Sequence, residues 1–584
     1  MSESSVAAES LLAVDVGTIN TRAILFDIVD GQYRFVAVGK AKTTIEAPYL
    51  NIGEGVRRAI SKLEKTLGRT FLSNSQSLII PSSPDGIGID SFALTISGGK
   101  PLRVVAVGIL EEGSAQSAQE LAATTYSRIV DVVTINSQRT QESRIDAIIK
   151  ARPDLIILAG GTENGAERSV MTMVEAVGLA CYLLPKDVRP EVLYVGNQAL
   201  REKVQDSLSS IVHLDIAPNI RPSTNVEQLV PAQAKLIRIY QRIRNKKILG
   251  VSEFDISAGR RMLPTAAAFN RIIGFLSKTY GSSKGVLGID IGASATTVSL
   301  AFSGNAMMKT ISHLNLGENV VDILRFVKAE DIARWIPGHF SPDRVQDYLY
   351  NKTIYPFSIP GTVDELSIEQ AIARQLMRLA VSEIIQKIPE KDNNVLAGFL
   401  PWVEPIIASG SVLTKAPKLG QSMLMLLDGI QPVGVTTLVL DKNNLTPALG
   451  AAAEINQMLV VQVLESKAFL NLGTVIAPVG KAKFGTPVLR VWIKQEDGTE
   501  TNIDVKYGSI EVIPASLGQK VELRVLPLQR FDIGMGGPGR GGRLRVIGGA
   551  LGIVIDARGR PLMLPENPNQ RQELLKKWAR VLGA

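Results

Sequence analysis

The chain of 584 residues has a single cysteine, Cys181, and only three histidines. One cysteine excludes an internal disulfide bond, which agrees with a reducing compartment and predicts a cytoplasmic protein. Three widely separated histidines without partner cysteines cannot form a protein-held metal cluster, so any metal is expected to be nucleotide-borne Mg²⁺. No apolar run reaches the length of a membrane span, so we expect no transmembrane segment.

Basic residues exceed acidic residues by eight, and the sequence pI is close to 9.3. This balance permits association with anionic partners such as nucleotides, nucleic acid or a membrane surface. No block of like charges concentrates the excess, so the pattern favours a solvated basic surface and no specific nucleic-acid partner. With 45% hydrophobic and 21% charged residues, the composition is that of a folded protein of several domains.

The stretch from Leu11 to Phe26 predicts two apolar strands joined by a tight Asp-x-Gly-Thr turn. Gly17 allows the backbone of this turn to approach a ligand closely, because no Cβ stands in the way. Successive amides and the hydroxyls of Thr18 and Thr21 are able to donate to phosphate oxygens. Asp15, at the end of a buried strand, suits a magnesium ion held through water. An ordinary hairpin with an acidic turn is the alternative interpretation.

A second copy of this pattern lies between Val286 and Leu300, where a strand, Asp290-Ile291-Gly292, small hydroxyl residues and another strand follow in order. Two such hairpins can face each other across a cleft. One aspartate and one set of turn amides from each would then hold the phosphates and their metal from both sides. The duplication favours a phosphate site over a simple hairpin.

These two motifs resemble the phosphate motifs of the superfamily of actin, the large heat-shock chaperones and the sugar kinases. The stretch from Ile406 to Leu413 resembles the adenosine motif of the same superfamily. The resemblance implies an ATP site, with Asp15 and Asp290 as the catalytic and metal-holding residues. The residues expected to contact the nucleotide are Gly17, Thr18, Asn20, Thr21, Gly292, Ser294, Thr296, Gly410 and Ser411.

The fold class expected is α/β, with an actin-like core of two lobes of ribonuclease-H type. From Arg103 onward, strands and helices alternate, which indicates a parallel, doubly wound sheet inserted into the first lobe. After about Ala468 the sequence becomes strand-rich and predicts a small β-barrel or sandwich. The expected organisation is lobe I, first part (1–100); inserted Rossmann-like domain (101–217); return to lobe I with connecting helices (218–285); lobe II (286–467); and a C-terminal β-rich domain (468–584).

The order of these motifs, with Pro153-Asp154-Leu155 to Gly161-Thr162, Tyr194-Val195-Gly196-Asn197 and Pro218-Asn219-Ile220-Arg221-Pro222 between the hairpins, resembles the glutamate mutase L family. This is the MutL-like accessory family of cobalamin-dependent aminomutases, unrelated to mismatch repair, and the similarity covers about Leu11 to Met458. The resemblance implies an ATPase-like, chaperone-like reactivating factor whose protein client is a cobalamin-dependent mutase.

The sequence departs from this family in its second motif, where the family carries an acid and this chain carries Thr297. The helix before the second hairpin supplies Asn270 and no carboxylate. We therefore expect nucleotide binding with slow hydrolysis.

A function of another class stays open beside this one. The chain is alternatively a non-catalytic actin-like scaffold or filament protein of the division or pilus-assembly type, in which nucleotide sets the conformation and the partner is a second copy of the chain. A small-molecule kinase is less favoured, because no recognisable sugar or acyl site accompanies the phosphate motifs.

Overall fold

The computed structural model of the protein describes residues 10–279, 284–338, 340–388, 399–494 and 500–584. The chain divides into two compact units. Unit 1 comprises Met1–Asp27 and Val36–Ala268, and unit 2 comprises Ile28–Phe35 and Phe269–Ala584. No helix within the described ranges is long and apolar enough to cross a membrane.

The strands of the described residues form four sheets. In chain order they are β1 (Leu11–Val16), β2 (Asn20–Val29), β3 (Gln32–Lys42), β4 (Ser91–Ile96), β5 (Leu102–Gly108), β6 (Ser127–Thr134), β7 (Leu155–Leu158), β8 (Glu191–Tyr194), β9 (Leu214–Ile216), β10 (Leu263–Pro264), β11 (Gly285–Ile291), β12 (Thr296–Phe302), β13 (Asn305–Ile311), β14 (Val403–Ser409), β15 (Gly434–Leu440), β16 (Leu470–Ala477), β17 (Pro487–Lys494), β18 (Glu500–Lys506), β19 (Ile510–Ile513), β20 (Lys520–Pro527), β21 (Gly542–Ile547) and β22 (Ile553–Asp556).

The α-helices cover the sheets or connect their strands. In chain order they are α1 (Gly53–Leu67), α2 (Gln116–Ala122), α3 (Gln141–Ala151), α4 (Glu167–Leu183), α5 (Arg201–Leu208), α6 (Val230–Lys247), α7 (Val251–Ser257), α8 (Thr265–Thr279), α9 (Ala329–Ala333), α10 (Pro342–Ile354), α11 (Val363–Ile385), α12 (Ser411–Thr414), α13 (Leu419–Gly429), α14 (Leu445–Ala452), α15 (Gln457–Leu464) and α16 (Pro568–Val581).

The first sheet has the order β10–β4–β1–β2–β3. β1 and β2 form an antiparallel hairpin, and β1 pairs in parallel with β4 on its other side. All six residues of β1 are buried, as a central strand covered on both faces requires. Helix α1 packs so closely on β3 that a Cβ on Gly39 would lie 2.0 Å from the carbonyl oxygen of Ala59. This packing fixes the sheet that presents the first Asp-x-Gly turn.

The second sheet of unit 1 is entirely parallel, in the order β6–β5–β7–β8–β9. Its strands are nearly continuous apolar runs, such as the fully buried Leu155–Leu158, because helices cover parallel sheets on both faces. Valines and isoleucines of the strands form a core with α4 that includes Cys181. The alternation of strands and helices predicted from Arg103 onward is present here, while the exact bounds 101–217 of an inserted domain stay a prediction.

The large sheet of unit 2 has the order β13–β12–β11–β14–β15–β16–β22–β19. Its first five strands repeat the first sheet of unit 1, with an antiparallel pair of hairpins followed by two parallel strands. This order is the one expected of a ribonuclease-H-type core, and it occurs twice in the chain. The α/β fold class predicted from the sequence is therefore confirmed.

The strand-rich segment after residue 467, which the sequence analysis assigned to a separate domain, is divided between two sheets. β16 pairs with β15, β22 pairs with β16 and β19 pairs with β22, so three of its strands extend the large sheet of unit 2. The remaining strands form a four-stranded antiparallel sheet in the order β18–β17–β20–β21. The inner face of this small sheet shares a core with Ile476 and Ile553 of the large sheet.

Five charged side chains are buried together in unit 2 and connect α11, α13 and the end of β22. Arg558 donates to both oxygens of Asp556 at 2.9 Å and to Asp428 at 2.7 Å. Arg374 donates to Asp428 at 2.7 Å, and Arg560 donates to Asp556 at 2.9 Å. Each residue is less than one-tenth exposed. The network ties the C-terminal segment to the body of unit 2.

Candidate functional site

The first Asp-x-Gly turn is shaped by Gly17. Its backbone nitrogen donates to the carbonyl oxygen of Asn20 at 3.0 Å, and a Cβ on Gly17 would lie 2.9 Å from that oxygen. The loop after β4 covers the turn, because Ser97 and Gly98 both donate their backbone N–H to Val16 at 3.0 Å. A side chain at position 17 would therefore displace the turn backbone.

The carboxylate of Asp15 is only 2% exposed and is held by residues from three other elements. Thr95 of β4 donates its hydroxyl to Oδ1 at 2.8 Å, and Thr265 at the start of α8 donates to the same oxygen at 2.9 Å. Arg22 of β2 lies 3.3 Å from Oδ2, with its own side chain 20% exposed. The parallel register of β1 and β4 places Thr95 directly beside Asp15.

The second turn repeats this geometry in unit 2. Gly292 donates to the carbonyl oxygen of Ala295 at 2.9 Å, and a Cβ on Gly292 would lie 2.8 Å from it. Ser409 of β14 donates its hydroxyl to Oδ1 of Asp290 at 2.5 Å. Asp290 pairs with Ser409 in the register of β11 and β14, as Asp15 pairs with Thr95. Both turns thus orient an aspartate by a hydroxyl from the adjacent parallel strand.

The predicted hydroxyl donors are mostly buried. Thr18 is 7% exposed and Ser294 is 6% exposed. Thr21 is fully buried, and its hydroxyl lies 2.9 Å from the hydroxyl of Thr43. The Thr43 hydroxyl in turn donates to the carbonyl oxygen of Gly17 at 2.8 Å. The structure therefore places the Thr21 hydroxyl inside the turn, where it supports the backbone.

The second turn lacks this threonine pair. A backbone N–H, that of Leu316, donates to the carbonyl oxygen of Gly292 at 3.0 Å, in the role that Thr43 has in unit 1. The hydroxyl of Thr296, the counterpart of Thr21, is fully buried and has no hydrogen-bond partner among the described residues. Buried hydroxyls are normally hydrogen-bonded, so this position has an unused donor.

The predicted adenosine motif lies beside the second turn within unit 2. Gly410 follows Ser409 directly and has φ of 107°, and a Cβ there would lie 2.4 Å from the carbonyl oxygen of Ile291. Only glycine satisfies both conditions. Ser411 is exposed and begins the short helix α12. Gly410 thus allows the two motifs to approach each other closely.

The two positions from which slow hydrolysis was expected, Asn270 and Thr297, carry no acid. The amide oxygen of Asn270 accepts a hydrogen bond from Ser299 of β12 at 2.6 Å. Thr297 is 7% exposed, and its hydroxyl lies 3.5 Å from that of Thr310. Neither side chain has the carboxylate that a general base at this place would require.

Three residues that contact Asp15 were not identified from the sequence: Thr95, Thr265 and Arg22. Thr95 lies in β4, next to β1 in the sheet. The contact could not be predicted because it depends on the parallel pairing of β4 with β1, which places Thr95 beside Asp15. Thr265 is 250 positions from Asp15, and no local signal connects the two.

A comparison with protein families matches the MutL protein family over residues 11–468. The chain belongs to the MutL protein family. Protein MutL of Clostridium tetanomorphum is 21% identical over 395 residues, a span that covers 64% of this chain and 78% of that protein. Membership of the MutL family confirms the resemblance inferred from the order of the sequence motifs. The family match ends at residue 468, and β16 to β22 and α16 all begin after it.

Solved structures align with this MutL-family chain over long spans but superpose poorly. The nucleotide-free structure of an acetone carboxylase is 12% identical and covers 85% of this chain and 81% of its own, with a TM-score of 0.29. Xylulose kinase from Bifidobacterium adolescentis is 10% identical, with coverages of 80% and 96% and a TM-score of 0.26. A glycerol dehydratase reactivase is 8% identical, with coverages of 71% and 94% and a TM-score of 0.26. At such TM-scores the superpositions carry no argument about this chain.

Proposed function

We propose that this chain binds Mg-ATP through its two Asp-x-Gly turns and acts as a nucleotide-dependent accessory factor. The supporting observation is the duplication of the turn geometry in both units. The same glycine-to-carbonyl contact recurs at Gly17 and Gly292, and the same hydroxyl-to-carboxylate bond recurs at Asp15 and Asp290. A repeated pair of oriented carboxylates has no evident role in packing alone.

The residues of both turns fit a magnesium-bound polyphosphate. Carboxylates are preferred magnesium ligands, and Mg²⁺ commonly binds one or two of them while it retains water. We assign that role to Asp15 and Asp290. A turn without a Cβ brings backbone amides close to phosphate oxygens. The partnerless buried hydroxyl of Thr296 adds an unused donor at the second turn.

Each chain residue then has a defined part in binding. The bound metal would neutralise phosphate charge. Gly17, Thr18 and Asn20 would bind phosphate through the first turn, and Gly292, Ser294 and Thr296 through the second. Thr21 supports the first turn from inside. Gly410 and Ser411 would contact the nucleoside. Arg22, held beside Asp15, adds a positive charge to the first turn.

We further propose that hydrolysis is slow and that ATP acts chiefly as a conformational ligand. Thr297 and Asn270 supply no general base, and such a group contributes about 10²- to 10⁴-fold to a rate. Oriented carboxylates and turn amides still bind phosphate without it. A nucleotide that stays bound shifts the chain toward the conformation that binds it best.

The client proposed is a cobalamin-dependent mutase that the accessory factor reactivates. Membership of the MutL family supports this choice, together with the resemblance to glutamate mutase L described above. A mutase gene beside the gene for this chain would identify the client to test. Recovery of that mutase from inactivation in the presence of this chain and ATP, and not without ATP, is the expected result.

Nucleotide binding is tested by titrating the full chain with fluorescent ATP and Mg²⁺. G17V is expected to abolish binding, because its side chain would meet the carbonyl oxygen of Asn20. The matched control is G361A, since a Cβ on Gly361 meets only Glu365 Oε2 at 3.5 Å, an ordinary contact. Circular dichroism verifies that both variants fold. ATP affinity that is unchanged in folded G17V would remove the proposed site, and ATP-dependent filaments in electron micrographs would favour a scaffold instead.

A further inference from the structure

A cavity of about 470 Å³ lies in unit 2, away from both Asp-x-Gly turns in sequence. Its volume is within the range of small-molecule sites, which is about 300–1,000 Å³. One wall is a single face of α11, since its contributing positions are three or four residues apart. The opposite walls are α9 with the residues next to it, and the segment that follows β22. The α11 positions are Gln375, Arg378, Leu379 and Ser382.

The lining combines apolar surface with two arginines. Phe326 and Trp335 supply aromatic surface, and Leu562 and Leu564 supply aliphatic surface. The charged groups of the lining are the guanidinium groups of Arg334 and Arg378 and the single carboxylate of Asp331. The lining therefore carries a positive excess in an otherwise apolar site.

The two arginines differ in how they are held. Arg334 donates to the carbonyl oxygen of Leu564 at 3.0 Å, so its guanidinium has a fixed place. Arg378 makes no hydrogen bond or ion pair with any other residue that the structure describes. The Arg378 side chain is exposed to solvent at the mouth of the cavity. Nearby protein atoms still lower the pKa of its guanidinium, in spite of the attraction of Asp331 and Asp428. A guanidinium whose donors are not used by other protein groups can bind an anion through charge-assisted hydrogen bonds.

A third arginine increases the positive charge nearby. Arg571 of α16 donates to the carbonyl oxygens of Pro565 and Glu566 at 3.0 Å, and its Nε has no partner among the described residues. Burial lowers the pKa of Arg571, and the charge of Arg334 lowers it further. Neighbouring positive charges disfavour each other, and a bound anion would compensate them.

We propose that this cavity binds a small organic carboxylate that carries an apolar group. Arg378 and Arg334 would bind the carboxylate, which a guanidinium recognises with two parallel hydrogen bonds. Phe326 and Trp335 would contact the apolar group. This site is independent of the proposed nucleotide site and uses different residues of unit 2.

Calorimetric titration of the full chain with octanoate tests the proposal. Octanoate is expected to bind at millimolar concentration or below. Octanamide, which has the same chain and no charge, is expected not to bind. Inorganic phosphate, which has charge and no apolar group, is expected to bind more weakly than octanoate. Equal affinity for octanoate and either of these two probes would overturn the proposal.

Variants locate the binding. R378Q is expected to weaken octanoate binding about tenfold or more, the usual effect of losing hydrogen bonds to a charged group. R344Q is the matched control, because Arg344 is exposed, pairs with Asp364 and does not line the cavity. S382F places a ring in the cavity from an exposed position and should abolish binding independently of Arg378. Octanoate binding that survives both R378Q and S382F would place the ligand elsewhere.

Discussion

Replacing Asp556 by asparagine should strongly destabilise unit 2. The fully buried carboxylate accepts hydrogen bonds from Arg558 Nε and Nη2 and from Arg560 Nη2, all at 2.9 Å. D556N removes the negative charge and leaves two buried guanidinium groups with Asp428 as the remaining carboxylate of the network. Loss of one partner of a buried ion pair typically costs about 3–5 kcal/mol, and we expect a loss of that size in the free energy of unfolding.

Urea unfolding followed by tryptophan fluorescence measures this loss. All four tryptophans lie in unit 2, so the signal reports this unit alone. The Trp578 ring lies 4.7 Å from the Arg558 guanidinium and should sense the network directly. The control is D504N, which also breaks an aspartate pair held by two hydrogen bonds from one arginine, Arg490. That ion pair is exposed, so we expect D504N to cause no resolvable change in the free energy of unfolding.

The pH dependence gives a second measurement of the same group. Burial opposes ionisation of Asp556, but Arg558 and Arg560 outweigh it and hold its pKa well below the usual range. Since the folded pKa is below the unfolded one, the stabilisation is complete above about pH 5 and declines as pH falls below about 4. The difference between wild type and D556N should follow this course. A D556N variant within about 1 kcal/mol of wild type at pH 7 would refute the reasoning.

Three further outcomes are expected. Steady-state ATP turnover should be below about one per second, the low end of ordinary enzymes, and faster turnover abolished by D290A would reveal a competent ATPase. Cys181 should resist Ellman's reagent at pH 8 until urea unfolds the chain, because burial raises the pKa of its thiol to about 12; rapid labelling of the folded protein would contradict its place in the core. The excised segment 101–217 should fold alone, because its parallel sheet is complete in itself, and an unfolded circular dichroism spectrum of that fragment would show that the predicted boundary fails.

Local patterns were sufficient to predict the elements that carry the candidate site. The strands from Leu11 to Phe26 and from Val286 to Leu300 are β1, β2, β11 and β12, because each is a short apolar run interrupted at an Asp-x-Gly turn. Each turn is closed by a hydrogen bond between residues three positions apart, from Gly17 to Asn20 and from Gly292 to Ala295. The local sequence was therefore sufficient to predict both turns.

Pairing between distant strands was not predictable in the same way. After residue 467, β20 alternates apolar and polar residues, whereas β22 is a short continuous apolar run. Neither pattern tells which strand it pairs with, so the sequence did not show that β22 joins the large sheet and β20 the small one. The buried network depends on Asp428 lying beside Arg558, 130 positions away. The Thr95 hydroxyl that donates to Asp15 likewise depends on the pairing of β1 with β4, because the two residues are 80 positions apart in the sequence.

The position of β22 in the large sheet has a consequence for synthesis on the ribosome. β16 ends at Ala477, and its neighbour β22 begins at Ile553, after 75 intervening residues. At about 5 to 20 residues per second, the edge of β16 waits roughly 4 to 15 s for that partner. Throughout this interval Thr474 to Ile476 lack their hydrogen-bonded partner strand β22. An unpaired strand edge can instead pair with a strand from another chain. The growing polypeptide is therefore exposed to misassociation at this edge while residues 478–552 are translated.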